Sequence, residues 1–384
     1  MAKSRLGEHY SPASMIPRAI PAAKPVDLLQ SLTPGARILL VRLRSLGDTL
    51  LSTPLYTALK SWRPDLRLSV LVESPNDEIL RNNPDLDNII SIRASDKNAL
   101  GVFAARYGAL KQIRAAKFDC CINLHGGVTS AWLTALSGAN HRVGVSTFRN
   151  RIAYNFIIDV PRRQPADRKP HTVEYQISWL NYLGLPRGPI PPLRLVPDPS
   201  RRASALAKLQ DAGLDTGRDY AVIHPGSRYH TKEWPAEGFA EIADEITVKY
   251  GLQVLLLGGP GEEEKIGRVV KLCGSPPVVV QNVPVADIVW VIQGARLFVG
   301  NDSGPTHIAA ALQVPIVVLF GSSDSQVWFP WKSPYQIVQN DFACNPCPGQ
   351  RCLVYDKPRC ILSITPKQVK TAVAAQLRSA TRPR

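Results

Sequence analysis

Short apolar runs recur along the chain from residue 37, each followed by a stretch whose apolar positions fall three and four apart. Runs at 37–43, 67–72, 88–92, 119–124 and 141–145 are almost continuously apolar, which predicts strands covered on both faces. After the first, the turn Arg44-Ser45-Leu46-Gly47-Asp48 opens a helix with Leu51, Leu55, Ala58 and Leu59 along one side. The alternation returns with strands at 220–224, 253–257, 278–281, 296–299 and 315–320. Phe239, Ile242, Ala243 and Ile246 stand at i, i+3, i+4 and i+7 in one intervening helix. Ile266, Val269, Val270 and Cys273 keep that spacing in the next, and helices follow over 285–294 and 305–312. Strands alternating with helices give the α/β class, with two largely parallel, doubly wound sheets.

A chain of 384 residues exceeds what one hydrophobic core usually serves. The Pro-rich passage 184–199 reads as the linker between two Rossmann-like domains, placed at 37–190 and 191–365. Residues 1–36 read as a lead-in, mobile or draped over the surface, and 366–384 as a C-terminal helix or tail. Ligands of such sheets bind beyond the carboxyl ends of the strands, here in the cleft between the halves.

Composition narrows the partners. Lys and Arg number 46 against 31 acids, a net charge of +15 that favours polyanions or an anionic membrane face. The excess is scattered, with no basic run and no aromatic-interleaved stripe, so nucleic acid is not expected. Neither a signal peptide nor an apolar stretch of membrane-spanning length is apparent, which predicts a soluble, cytoplasmic chain. Seven cysteines, two of them the adjacent Cys120 and Cys121, do not suggest a disulfide framework.

The pointed chemistry falls in strand-to-helix turns. In 301–307, Asn-Asp-Ser-Gly-Pro-Thr-His, a helix start offers N–H groups and a positive dipole end that suit a phosphate. Ser303 adds a hydroxyl, Gly304 permits close approach, and His307 lies a turn further on. An ordinary βα turn capped by Asp302 or Ser303 is the alternative. Asp48 is a general base or a helix cap. In His224-Pro225-Gly226-Ser227-Arg228, the Gly-Ser pair can cradle a phosphate, with Arg228 and Lys232 as cations; a solvated surface role is the alternative for Lys232. The turn Gly258-Gly259-Pro260-Gly261-Glu262 has neither dinucleotide nor P-loop spacing; Glu262 is a ribose acceptor or favourable charge at a helix start.

Together the segments RSLGD, HPGSRYHTKEWP, GGPGEEE and NDSGPTH resemble glycosyltransferase family 9, the heptosyltransferases of lipopolysaccharide core assembly. The resemblance runs from about residue 37 to the C-terminus. It implies the GT-B fold and an inverting transferase with no cofactor and no required metal. It implies Asp48 as base and Lys232, Asp302, Ser303, Gly304 and His307 around the donor diphosphate and sugar, with Glu262, beside Gly259, as the nucleotide contact. It further implies a nucleotide-sugar donor, ADP-heptose in this family. The acceptor would be a lipid-linked anionic oligosaccharide met at the cytoplasmic membrane face. Another donor or acceptor, or a non-catalytic nucleotide-sugar-binding protein, is the alternative. Acceptor contacts are expected around 125–129 and 148–154.

Two features stand apart. Cys344, Cys347, Cys352 and Cys360 have the spacing C-x2-C-x4-C-x7-C, which fits neither a zinc ribbon nor a ferredoxin; a loop of reduced thiols without metal is expected. Trp328 and Trp331 are expected to pack near the hinge, a sugar-facing aromatic being the alternative.

Overall fold

The computed structural model describes residues 26–93, 98–159, 169–347 and 349–379. Strands β1 (Arg37–Val41), β2 (Arg67–Glu73), β3 (Asn88–Ile92), β4 (Cys120–Asn123), β5 (His141–Val145) and β6 (Phe156–Ile158) form one sheet, in the order β3-β2-β1-β4-β5-β6. Strands β7 (Tyr220–His224), β8 (Gln253–Gly258), β9 (Val278–Gln281), β10 (Leu297–Asn301), β11 (Ile316–Leu319) and β12 (Tyr335–Val338) form the other, in the order β12-β11-β10-β7-β8-β9. All pairings are parallel; Ile38 lies between Leu68 and Cys120, for example. Read from β9, the second order repeats the first, as expected of two Rossmann-like domains in a GT-B arrangement.

Helices α1 (Leu28–Ser31), α2 (Leu46–Leu50), α3 (Thr53–Trp62), α4 (Ala99–Ala116), α5 (Val128–Ala135) and α6 (Thr172–Tyr182) accompany the first sheet. With the second go α7 (Arg202–Asp211), α8 (Ala236–Tyr250), α9 (Glu263–Leu272), α10 (Val285–Gln293), α11 (Gly304–Ala311), α12 (Ser325–Trp328), α13 (Arg359–Leu362) and α14 (Pro366–Ser379). None of the described helices is long and apolar enough to cross a membrane.

Three local outcomes differ from the sequence pattern. The helix expected after Asp48 is two, because Pro54 has no N–H to donate backwards. Ser52 Oγ–H and Thr53 Oγ1–H donate instead to the carbonyls of Asp48 and Leu50, at 2.8 and 2.7 Å. Strands β6 and β12 escaped notice; both are edge strands of three or four residues, each with one buried side chain. Residues 26–36, expected in a lead-in that is mobile or draped over the surface, are docked: Leu28 and Leu29 are buried, and the Val26 and Leu29 N–H groups bond Tyr182 and Leu183. Residues 1–25 of that expectation lie outside the described residues. At the other end, α14 buries Val369 and Val373 in the second half's core.

The linker has no regular structure from 184 to 198, yet it is bonded to both halves. Arg194 N–H donates to Thr53 Oγ1 at 2.9 Å, and Trp331 Nε1–H donates to the Pro191 carbonyl at 2.9 Å. One apolar cluster runs through both halves. Glu78 of the first half accepts from the Ala286 N–H at the start of α10, 2.9 Å away. These contacts fix the two sets of strand ends against each other.

Candidate active site

Between the halves lies a cavity of about 380 Å³, lined by the turns that follow the first and fourth strand of each sheet. Asp48, His125, Arg228, Lys232, Ser303 and His307 all face it. The expected base and the expected anion-binding residues, up to 259 positions apart in sequence, therefore share one space.

In the turn after β1, Ser45 gives both its N–H and its hydroxyl to Asp48 Oδ2, at 3.2 and 2.9 Å. This is the capping arrangement at the start of α2, so Asp48 is a cap and a cavity carboxylate at once. Its Oδ1 accepts no hydrogen bond among the described residues. Behind it Arg42 is buried, with Nε–H on Ser52 Oγ at 3.2 Å. An arginine inside the run ILLVRL was the available signal for that buried cation, and it was missed. In the turn after β4, Asn123 Oδ1 accepts from the N–H groups of His125 and Gly126 at 2.8 and 3.1 Å, which presents the imidazole to the cavity. Burial, then the charges of Arg42 and Arg44, push His125 down to about 4, so its ring is neutral.

The facing turns are tied by Asn301, the fully buried last residue of β10. It accepts from Trp234 N–H at 3.2 Å and donates to the Pro225 carbonyl at 2.8 Å, joining the β10 and β7 turns. Helix α11 opens on the cavity with Ser303 at its cap position and Gly304 at its first turn. Ser227 and Arg228, from the β7 turn, line it too. Lys232 Nζ is held by Asp302 Oδ2 at 2.7 Å.

A family model for glycosyltransferase family 9 (heptosyltransferase) matches residues 106–356, more than half of the chain. The chain belongs to glycosyltransferase family 9. Lipopolysaccharide heptosyltransferase 3 of Escherichia coli is 29% identical over 328 residues, covering 83% of this chain and 93% of that one. Lipopolysaccharide heptosyltransferase 1 of Pseudomonas aeruginosa is 27% identical over 364 residues, covering 89% and 98%. Among solved structures, a family 9 glycosyl transferase from Veillonella parvula superposes with a TM-score of 0.80 at 23% identity, over 91% of this chain and 99% of that one. The E. coli ADP-heptose lipopolysaccharide heptosyltransferase II gives 0.72 at 20% identity, over 90% and 100%. These structures share the fold; the family match makes this chain a glycosyltransferase.

Within that family 9 frame, several expected site residues have partners that no short motif announces. Asp302 is buried and accepts from Ser323 Oγ–H at 2.6 Å as well as from Lys232. Asp302 therefore holds Lys232 in place at the wall of the cavity. His307 faces the cavity, but burial pushes its pKa down against the pull of Asp302 and Asp48. Its Nδ1 is buried without a partner among the described residues, and its ring edge packs on Gly47, where an added Cβ would meet Cδ2 at 2.6 Å. It joins the domains at the wall of the cavity. Gly259 and Glu262 do not line the cavity. Glu262 stands behind Gly226, where an added Cβ would fall 1.8 Å from Oε1, and accepts from Gly259 N–H at 2.7 Å. Burial opposes its ionisation, but hydrogen bonds from His224 and Gly259 keep its pKa below the ordinary carboxylate value. His224 Nε2 lies 3.3 Å from Glu262 Oε2 and Nδ1 lies 3.3 Å from Ser303 Oγ, so the three form one chain of contacts from the Gly226 turn to the cavity. A histidine ending an apolar strand is the signal the sequence offers for that link.

Trp331 packs as expected, stacked on His171 with ring centroids 4.7 Å apart. Trp328 is half-buried against the core as well, and it also lines the cavity and, with Tyr229 and Lys232, a neighbouring space of about 440 Å³. The four late cysteines surround one small cavity of about 20 Å³ with Thr231 and Ser322. Among the described residues no group of three or more His, Cys, Asp or Glu is placed to hold a metal ion. Their loop backs Lys232: Thr231 bonds the Gly349 carbonyl, and Cys347 N–H donates to the Ser322 carbonyl at 2.9 Å.

Proposed function

We propose that the chain transfers a heptose, from ADP-heptose, to a lipopolysaccharide core or related lipid-linked acceptor, with inversion at the sugar carbon and without a metal. One observation carries the reading. A carboxylate fixed through one oxygen and a set of anion-binding groups face each other across a single cavity. The acceptor hydroxyl attacks the anomeric carbon and its proton passes to Asp48. The bond from that carbon to the diphosphate breaks, and the departing oxygen keeps the electron pair. Arg228, Lys232, Ser227 and the N–H groups at Ser303 and Gly304 stabilise the charge that develops there. His307 contributes shape and a neutral polar edge. Glu262 and Gly259 act on the nucleotide side by holding the Gly226 turn and Ser303.

The names of the curated relatives favour a heptose and a lipopolysaccharide acceptor; identities of 27–29% support the class and not the acceptor position. A different activated sugar on the same diphosphate scaffold is the second reading, favoured by Trp328, an aromatic lining that the family motifs do not cover. The acceptor would be met at the cytoplasmic membrane face, with no nucleic acid involved. Domain limits of 37–190 and 191–365 serve the reaction by giving the base to one half and the anion site to the other.

The test is a donor screen with purified protein, following nucleoside diphosphate release with and without lipid acceptor and with and without a chelator. Acceptor-dependent release from ADP-heptose, undiminished by EDTA, is expected. Release from a different sugar nucleotide alone, or activity restored by magnesium after chelation, would overturn the donor or the metal-free mechanism.

A further inference from the structure

The first domain carries an apolar surface that none of the described residues covers. Residues 99–108, the first half of α4, include no buried side chain although the sequence is ALGVFAARYG. Leu100, Phe103 and Tyr107 are one face of that helix, at i, i+3 and i+7, and are 77%, 66% and 51% exposed. Phe103 and Tyr107 stack in parallel at 6.3 Å, presenting one flat ridge to solvent. Helix α5 lies on the same side of the sheet: Ala109, Ile113 and Leu133 share one cluster, and Arg114 donates to the Leu136 carbonyl at 3.1 Å. Its Val128 and Trp132 are 59% and 58% exposed. Both helices begin at the carboxyl edge of the sheet, and α5 starts three residues after His125, which faces the cavity. The apolar ridge therefore borders the mouth of the cleft.

Charge decides what it meets. Residues 98–158 contain seven Lys or Arg and a single acid, Asp119. Asp119 is turned to the opposite edge of the sheet, where it accepts from the Arg37 N–H at 2.8 Å. Acids of the neighbouring turn are already engaged: Asp77 with Arg81 and Arg93, Glu78 with the start of α10. A second copy of this chain would set two basic faces against each other. Exposed aromatics with Arg106 and Lys111 on the same helix, Lys111 Nζ 4.7 Å from the Tyr107 ring centroid, fit an anionic bilayer, where the rings enter the headgroup boundary and the cations meet phosphate.

We propose that the exposed faces of α4 and α5 are a membrane-docking surface for anionic lipid, holding the cleft mouth at the headgroup level. Its use in catalysis rests on the lipid-linked acceptor proposed above, but the surface itself does not.

The test is vesicle co-sedimentation of the full chain with phosphatidylcholine alone and with 30% phosphatidylglycerol. Binding to the anionic vesicles is expected. The variant Phe103→Ser, Tyr107→Ser, Trp132→Ser should bind at least about tenfold more weakly, with an unchanged melting temperature because all three side chains are exposed. Arg106→Gln with Lys111→Gln should weaken binding and flatten its salt dependence. Equal binding by the wild type and the triple variant overturns the proposal. So does wild-type self-association abolished by the triple variant, which would make this face a protein interface. Acceptor-dependent transfer to a water-soluble acceptor fragment separates the two readings. Vesicle binding without transfer leaves the surface standing and removes the function; transfer without vesicle binding does the reverse.

Discussion

The two halves line the cleft with the same pair of turns, those after the first and fourth strands, and fill them with opposite chemistry. In the first half the β1 turn holds Asp48 through Ser45, and the β4 turn holds a neutral His125. In the second the β7 turn brings Arg228 and Lys232, and the β10 turn opens α11. Topology sets the place, since strands one and four are neighbours at the centre of each sheet and their exits diverge there. Side chains then set the character: a carboxylate held by Ser45 on one wall, two cations and a helix start on the other. The means of support differ too. Asp48 is fixed within its own turn, by a residue three positions away. Lys232 is fixed by Asp302, seventy positions along, and by a cysteine-containing loop further on. One wall is a local device and the other depends on the assembled domain.

The sharpest way to break this division is at Asp48. Asp48→Asn keeps the shape of the cap and removes the proton acceptor. Turnover should fall by about 10²–10⁴ while affinity for the donor stays close to normal. A near-normal rate with a lowered melting temperature would leave Asp48 as a cap alone.

Next comes the opposite wall. Lys232→Ala should weaken binding of the nucleoside diphosphate product by roughly ten- to a hundredfold, the worth of one charge-assisted contact. It should also destabilise the protein by about 3 kcal/mol, because Asp302 is left buried without its cation. Adding Asp302→Asn should restore the stability and not the affinity. If both return together, Lys232 is structural and the anion site lies elsewhere.

Legibility followed the same line. Asp48, Lys232, Ser303 and Gly304 could be read from short motifs because each sits in a strand-to-helix turn of small and polar residues, and the structure brings all of them to one cavity. Both sheets were readable because continuous apolar runs mark strands buried on two faces; β6 and β12, each with one buried side chain, carry no such mark. What stayed hidden depended on distance in the fold. No local pattern announces that Asp302 would be turned onto Lys232, that Glu262 would reach Ser303 only through His224, or that His307 would sit against Gly47. Those are pairings between turns: the first two form when the second domain folds, and only the last forms when the two domains meet.

That meeting point gives the third prediction. At Gly47 an added Cβ would lie 2.6 Å from His307 Cδ2, and His307 is enclosed and unable to swing clear. Gly47→Ala should cost about 1–3 kcal/mol of stability and lower turnover by parting the two walls. Gly47→Ala combined with His307→Ala should recover much of the stability. Failure to recover would place the strain elsewhere in α2.

The smallest effect expected is a pH dependence, and it belongs to the first half. His125 titrates near 4 in the folded chain, held down by burial and then by Arg42 and Arg44, against about 6.5 for a free imidazole. Where the folded value is depressed, the unfolded chain takes up the proton first. Stability on this account is full above about 6.5 and is lost as pH falls through the window down to about 4. His307, depressed by burial, adds to the slope in the same direction. Melting temperature should therefore drop between pH 7 and pH 5, before most carboxylates titrate. His125→Asn cannot be protonated, so its drop over that interval should be smaller than that of the wild type, although its melting temperature at pH 7 need not be higher. Parallel curves for the two proteins would mean that His125 takes up its proton in the folded state as readily as in water. The first wall would then be as cationic as the second, and the opposition between the two turns would not extend beyond Asp48.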